Sequence, residues 1–400
     1  MCLKVLIAGG GIGGLAAALA CAQAGFAVQV FEKSPALDDI GAGVQLGPNV
    51  TRILNAWGLA DALKACAVFP ENLWARDAVD GQVLGQLRLG ATVQQRYGSA
   101  YATVHRADLH GVLLQALKKF PAVDVQRGTA VDSFNGNHAG DGEIGLTLSG
   151  PDLTQQTAAG DLLVGADGLW SKVRNQLLGD GPPQATGHIA LRALVAQKDL
   201  PYSLQSHDIT VWLGRQMHVV HYPVRGGDWL NVVVLLEGEL AHDAESWNHA
   251  VDANFLLKVM NSTHGPLQNL LHSIEHWQAW PLSQRTPMAS AAEHAKGRVA
   301  LLGDAAHPML PYMAQGAGMA IEDAAELVRC LAAQPSTANG VSTALQHYAR
   351  ARWQRNARVQ SRSQRNAQIF HATGIVRWGR NVSMKLLGER LLDVPWLYQA

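Results

Sequence analysis

The 400-residue chain reads as an α/β protein: a Rossmann-like domain interrupted by an inserted antiparallel β-sheet and followed by a C-terminal helical segment. Three observations predict this. Residues 4–8 (KVLIA) form an apolar run of strand length that ends in glycines and leads into an alanine-rich helix. Residues 188–237 change texture, to β-branched and aromatic runs separated by turns. A strand, glycine turn and helix then return at residues 299–324. At about 150 residues per domain the length allows two to three domains. Apolar residues make up 48% and charged ones 16%, against roughly a quarter in an average domain, which excludes intrinsic disorder. With 32 basic and 32 acidic residues, nothing in the net charge advertises a nucleic-acid partner.

In chain order, the first strand is followed by a helix over residues 15–24, stopped by Gly25, and by a second strand over 28–32. Parallel strands need such a crossover. The LAAALAC run at residues 15–21 resembles a signal-peptide end. Lys4 is the sole positive charge before it, however, and the glycines at 9–14 interrupt the apolar stretch, so a cytoplasmic protein is expected. No run reaches 18 apolar residues, so no membrane span is expected. Cys2, Cys21, Cys66 and Cys330 are scattered without metal or disulfide spacing, which predicts a reducing compartment and no metal. Helical patterns follow at residues 50–65 and 107–119 and a short strand at 161–164. The sheet segment then contains ITVWLG, MHVVHYPV and WLNVVVLL, with a turn at Gly226-Gly227-Asp228. From residue 344 the chain reads as arginine-rich helices.

Three motifs carry chemistry. Gly9-x-Gly11-x-x-Gly14 lies between the first strand and helix, where glycines allow a tight turn and a close phosphate approach to helix N-terminal amides. Glu32 ends the second strand, 18 residues after Gly14, placed to accept hydrogen bonds from a ribose. Gly165-Ala166-Asp167-Gly168, with Ser171 and Arg174, again joins a strand to a helix; alone it reads equally as an ordinary Asp-Gly turn. Gly303-Asp304-Ala305-Ala306-His307-Pro308, then Pro311 and Gln315-Gly316-Ala317-Gly318, opens a helix through Glu322-Asp323-Ala324. An acid at a strand end binds polyol hydroxyls, and successive helix-start amides hold negative charge.

In this order and at these separations the motifs resemble the single-component flavin-dependent aromatic hydroxylases, the class of salicylate and 3-hydroxybenzoate hydroxylases, over nearly the whole chain. Residues 41–49 (GAGVQLGPN) and His105-Arg106-x-x-Leu109 are similar to family segments that line the flavin. The resemblance implies an FAD-binding domain over residues 1–73, 98–184 and 284–340, a substrate domain over 74–97 and 185–283, and a helical segment over 341–400. It implies that FAD stays bound, that NADH or NADPH reduces it and leaves, and that O2 adds to the reduced ring. Carried over, Gly9, Gly11, Gly13 and Gly14 hold the pyrophosphate, and Glu32 with Lys33 the adenosine ribose. Gly43, Val44, Arg106 and Asp304 contact the remainder of FAD, Asp167 lies near FAD and the nicotinamide cofactor, and Pro311 with Gly316, Ala317 and Gly318 borders the isoalloxazine. Ala314 stands where the family commonly has glycine, and Gly318 where it commonly has asparagine. The expected partners are a small aromatic substrate, O2 and NAD(P)H, in a monomer or homodimer. A ring hydroxylase of quinone biosynthesis and a flavoprotein that only transfers electrons or binds ligand are the alternatives.

An electrophilic oxygen donor needs an electron-rich ring, which makes a group that draws on the phenol proton worth seeking. Period two places His218, Val220 and Tyr222 on one strand face and His221 on the other. The segment resembles the family strand with a His and a Tyr four apart, so His218 is expected as the base and Tyr222 as the group positioning the substrate hydroxyl. Gln45 and Val220 are expected to line the substrate, and Pro311 to border the reaction. A half-buried sheet histidine is the alternative for His218, and His221 and His307 read as structural. Arg352, Arg355, Arg358, Arg362 and Arg365 form one helix stripe, either a solvated or packed face or a dock for the anionic nicotinamide cofactor.

Overall fold

The computed structural model describes residues 2–36, 42–136, 142–150, 154–238, 249–251, 256, 260 and 263–399, so that Gly41 lies outside it. Two compact units divide the chain. The first holds Met1–Asp39, Leu109–Gln184 and Gln284–Ser363; the second holds Ile40–Asp108, Ala185–Ser283 and Gln364–Ala400. These boundaries differ from the expected domains in assigning residues 40–73 and 98–108 to the second unit and 341–363 to the first.

The first unit is built on a six-stranded sheet in the order Ala295–Lys296, Val299–Leu301, Leu162–Gly165, Lys4–Ala8, Ala27–Glu32, Val123–Arg127. All neighbours are parallel except the first pair. Continuous apolar strands such as KVLIA and LLVG suit a sheet covered on both faces. The helix Ile12–Gln23 begins three residues earlier than its apolar pattern suggests, inside the glycine turn, and ends before Gly25 at φ +84°. Its small residues let it lie close to Gly316–Ala332: a Cβ on Gly13 would come within 3.1 Å of Ala320 Cβ. A three-stranded antiparallel sheet, Ala130–Asn135, Ile144–Ser149 and Gln155–Gly160, completes this unit's core with Phe134, Ile144, Leu146 and Leu148.

The second unit carries an eight-stranded sheet in the order His249–Val251, Trp277–Gln284, Gln184–Ala196, Trp229–Glu237, Met217–Val224, Ile209–Leu213, Asn72–Asp77, Val83–Arg88. Ile209–Leu213 runs parallel to Asn72–Asp77, and the strands from Gln184 to Leu213 pair antiparallel. Leu191, Ala193, Met217, Val219, Leu230, Val232, Val234 and Leu236 give this unit its core, with the helix Gly265–His272 contributing Leu267, Leu270 and Leu271. The single helix expected over residues 50–65 is two, Pro48–Ala56 and Ala60–Cys66, because Gly58 takes φ +76° between them.

A buried polar cluster fastens the glycine-rich turn at residue 303 in the first unit. Asp323, 0% exposed, accepts hydrogen bonds from the Gly303 amide at 3.1 Å, His307 Nε2 at 2.5 Å, Arg352 Nε at 2.8 Å and Asn356 Nδ2 at 2.9 Å. Burial alone would raise the Asp323 pKa, but His307 and Arg352 overcome it and hold the carboxyl far below its usual range. Glu322 accepts from Arg352 Nη1 at 2.8 Å and takes both ends of the Arg355 fork, at 2.6 and 2.8 Å. The arginine stripe therefore splits. Arg352 and Arg355 are committed to Glu322 and Asp323, which removes them as a nicotinamide dock, while Arg358, Arg362 and Arg365 are exposed.

Asp323→Asn removes the carboxylate facing Arg352 and His307 while Glu322 still holds Arg352 Nη1, so it is expected to cost about 1–3 kcal/mol of stability at neutral pH. Because the folded-state pKa lies below the unfolded one, the carboxylate's contribution is complete above about pH 4. It is lost as the pH falls toward the folded pKa, so wild type and variant converge in acid. Thermal unfolding of both proteins across pH checks this, and equal midpoints at pH 7 would refute it.

Candidate active site

In the first unit the turn at Gly9 is fixed by geometry that a side chain would break. Gly9 sits at φ +101°, donates its amide to Phe31 O at 2.8 Å, and would place a Cβ 2.3 Å from Ala166 O. A Cβ on Gly14 would lie 1.9 Å from Gly9 O, whereas one on Gly11 meets nothing within 4 Å. Gly11 thus faces open space at the start of Ile12–Gln23, a helix with no acidic residue in its first turn and no side-chain cap. Unanswered amides and the positive end of the helix dipole suit a pyrophosphate, so these residues fit a dinucleotide. Glu32 Oε2 accepts from the Gly10 amide at 2.6 Å and Oε1 from the Ser34 amide at 2.8 Å, which aims the carboxylate and leaves each oxygen a second lone pair. Lys33 follows it, partly to fully exposed surface on either side. His110, which sequence reasoning passed over, braces the same turn through Nε2 to Gly10 O at 2.7 Å.

Asp167 is turned inward rather than outward. Ser171 Oγ donates to its Oδ1 at 2.5 Å and the Val173 amide to its Oδ2 at 3.1 Å, so it organises the start of the helix Lys172–Leu178, and burial pushes its pKa up. Asp304 is exposed beside the opening of Gly316–Ala332: a Cβ on Gly316 would stand 3.9 Å from Asp304 Oδ1. That helix also lacks an acidic first turn and a capping side chain, so the Gly316, Ala317 and Gly318 amides suit an anion. Pro311 is exposed at the head of the 3₁₀ turn Pro311–Met313 and carries no acid, base or nucleophile, so it can border a ligand but not transfer a proton. Ala314 closes the turn at φ +51°, the left-handed region, which explains why glycine suits this position.

In the second unit the sheet register sorts the side chains. Arg192 pairs with Val233, Val233 with Val220 and Val220 with Val211. One adjoining row is Leu194, Asn231 and Tyr222, and the other is Ala190, Leu235, His218 and Leu213. These residues share the face opposite the apolar core, because the alternate positions supply that core. Arg192 is 7% exposed; its Nε donates to Gln278 Oε1 at 3.2 Å, its guanidinium lies 5.0 Å from the Trp280 ring centroid, and its Nη2 has no hydrogen-bond partner among the described residues. Burial, then the Arg106 charge, lowers its pKa to about 10, so it remains charged at neutral pH. Asn231 donates nothing from its buried Nδ2 among the described residues, while its Oδ1 accepts from the Gly43 amide at 2.7 Å.

Tyr222 stands against Gly43, where a Cβ would lie 2.5 Å from its ring. The Tyr101 hydroxyl donates to Gln45 Oε1 at 2.8 Å, and Tyr398 meets the Tyr101 ring edge-on with centroids 6.3 Å apart. Burial raises all three tyrosine pKa values, so all three are neutral and Tyr222 keeps its own O–H to donate. Val44 adjoins Gln45 on the strand Gly43–Leu46, and Arg106 is exposed, its amide donating to Ala42 O at 3.1 Å.

His218, 3% exposed, has a partner that its sequence neighbourhood did not reveal. Its Nδ1 lies 2.9 Å from His371 Nε2, and its ring meets Phe370 edge-on at 5.3 Å. Burial, then His371, His188 and Arg380, holds its pKa well below the free value. Desolvation and the nearby Arg380 charge favour the neutral imidazole, a weaker base than a free one. His221 points to the other face, where burial and Arg76 lower its pKa to about 4.

The family described as FAD binding domain matches residues 2–363. A 3-hydroxybenzoate 6-hydroxylase of Polaromonas naphthalenivorans is 38% identical over 401 residues, covering 99% of this chain and 96% of that one. A 6-hydroxynicotinate 3-monooxygenase of Pseudomonas fluorescens is 34% identical over 82% of both chains. A solved salicylate hydroxylase substrate complex superposes with a TM-score of 0.81 at 25% identity, covering 100% of this chain and 96% of that one. Fold, glycine turn and comparisons define a flavoprotein. The chain belongs to the FAD-binding family of single-component aromatic hydroxylases. Among the described residues no helix is long and apolar enough to cross a membrane.

Proposed function

We propose that the protein hydroxylates a small hydroxybenzoate-like acid, using NAD(P)H and O2. The observation that carries the substrate class is Arg192, a buried charged guanidinium with an unpaired Nη2 on the same sheet face as Tyr222. A buried N–H without a partner costs about 1–3 kcal/mol, more when charged, and a substrate carboxylate supplies the missing acceptor. The relatives named for 3-hydroxybenzoate and 6-hydroxynicotinate, both ring acids bearing a hydroxyl, support the same class.

Bound FAD supplies electron transfer from the nicotinamide and activation of oxygen. Roles are assigned within each unit. In the first, Gly9, Gly11, Gly13 and Gly14 hold the pyrophosphate, Glu32 and Lys33 the adenosine end, Asp304 the polyol, and Pro311 with Gly316, Ala317 and Gly318 borders the ring, while Asp167 secures the second glycine turn. In the second, Gly43, Val44 and Arg106 contact FAD, Gln45 and Val220 line the substrate, and Arg192 binds its carboxylate. Tyr222, kept protonated by burial, donates to the substrate hydroxyl oxygen and favours the phenolate. His218 accepts a hydrogen bond from the phenol. Even at the free histidine pKa of about 6.5, full transfer from a phenol near 10 is roughly 5 kcal/mol uphill, and burial of His218 steepens it.

An aromatic panel should show hydroxybenzoates accelerating NADH or NADPH oxidation with a product heavier by one oxygen; oxidation without product would refute oxygenation. Arg192→Met should lower kcat/KM for a hydroxybenzoate by roughly 10- to 150-fold, the worth of about 1.5–3 kcal/mol, and leave a neutral phenol unaffected. Equal losses for both would remove Arg192 from carboxylate binding. For His218, Gln keeps an acceptor and Leu does not, so Gln should stay within about tenfold of wild type while Leu falls by ~10² or more. Equal loss in both, with FAD retained, would make His218 the proton-carrying base instead.

A further inference from the structure

We propose that His188, Glu237 and His371 form a site for a zinc-class divalent cation, and that its occupancy fixes the direction of the hydrogen bond between His371 and His218. One ligand atom from each residue lies within 4.8 Å of the others. Tetrahedral zinc, with bonds of about 2.0–2.2 Å, needs these atoms roughly 3.4 Å apart, a side-chain adjustment and no more. His188 and Glu237 are directly opposed on Gln184–Ala196 and Trp229–Glu237, so their side chains leave the sheet together. The His371 ring stacks on His188 at 5.1 Å and 9°, and its Nδ1 faces Glu237 Oε1 at 3.8 Å.

The ligands are held from behind. Gln216, at φ +55°, donates its side chain to Glu237 Oε2 at 2.9 Å and its amide to His371 O at 3.0 Å, and accepts the Glu237 amide at 3.1 Å. His371 Nε2 is engaged by His218, as the second nitrogen of a metal-ligating imidazole generally is. Exposure grades from Glu237 through His188 to buried His371, which gives a hydrated ion an entry side and an open position for water. Two imidazoles and one carboxylate suit zinc over calcium or magnesium, which prefer all-oxygen shells. Arg380, whose guanidinium binds the Ile369 and Phe370 carbonyls, stands close enough to oppose a cation, so the site fills from added metal rather than holding a permanent ion.

A cation on His371 Nδ1 confines that ring's proton to Nε2, so His371 becomes the donor to His218 Nδ1 and the His218 proton moves to its own Nε2. The nitrogen that would accept the phenol hydrogen bond then carries a proton, and hydroxylation slows. This consequence rests on the acceptor reading of His218; the site itself does not.

The test titrates chelator-treated holoenzyme with ZnCl2, following binding by calorimetry and the initial hydroxylation rate. One zinc per chain is expected, with inhibition reversed by EDTA. Glu237→Gln and His188→Asn should each raise the half-inhibiting zinc concentration at least tenfold and leave the metal-free rate unchanged. Absence of one-to-one binding, or equal inhibition in wild type and both variants, overturns the site. Binding that both variants lose but that leaves the rate untouched overturns the coupling to His218. The metal-free comparison of His218→Leu with His218→Gln reports separately on the acceptor reading, so the two failures are distinguishable.

Discussion

The period-two register of the eight-stranded sheet is the constraint on which the site depends. One face supplies Leu191, Met217, Val219, Val232 and Val234 to the core, so every polar side chain in these strands is forced to the other unless it is buried at a cost. Arg192, His218, Tyr222 and Asn231 share that second face through direct cross-strand pairs, not through loops. A site carried on paired strands is held by the ladder itself, and a one-residue slip would send all four into the core while exposing its apolar set. Chemistry and stability are thereby specified by the same register.

The first unit solves a different problem, keeping several glycine turns open toward a ligand without collapsing them. At residue 9 the solution is steric, since the turn, Ala166 and Gly14 pack too tightly for any Cβ. At residue 303 it is electrostatic. Asp323 takes the Gly303 amide together with His307, Arg352 and Asn356, so two helices and the turn share one carboxylate. Such a group contributes little net stability when complete, yet its loss is costly, because the remaining charges have no water to turn to. That asymmetry gives a ligand-facing turn a definite shape.

Much of this was legible in sequence. The 4–32 strand, turn and helix unit follows from spacing alone, and alternation placed His218, Val220 and Tyr222 together and His221 apart. Arginines of the C-terminal helical stretch find acidic partners, Arg352 and Arg355 at Glu322 and Asp323 and Arg377 at Asp77. What stayed hidden needed tertiary contacts. Arg192 interrupts the apolar run ALRALVA, which marks it in sequence, but its unpartnered Nη2 is visible solely in three dimensions. His371 reaches His218 from the end of the helix Ala338–Phe370, and no spacing rule links them. Gly58 divided a helix whose apolar pattern continues across it.

Burial is what assigns the roles on the second unit's polar face. Taken out of water, an imidazole loses basicity and a phenol loses acidity, so burial favours a neutral His218 and protonated Tyr222, Tyr101 and Tyr398. Arginine alone resists: even shifted to about 10, Arg192 keeps its charge at neutral pH. The face therefore presents one fixed positive charge among neutral hydrogen-bonding groups. Such an arrangement favours a ligand that brings one negative charge, and it rewards the development of a second on the oxygen that Tyr222 reaches. A proton acceptor that ionised the phenol outright would be charged afterwards, and the same burial disfavours that charge. On the proposed reading a protonated Tyr222 supplies the polarisation without that charge, and the histidine acts through its lone pair.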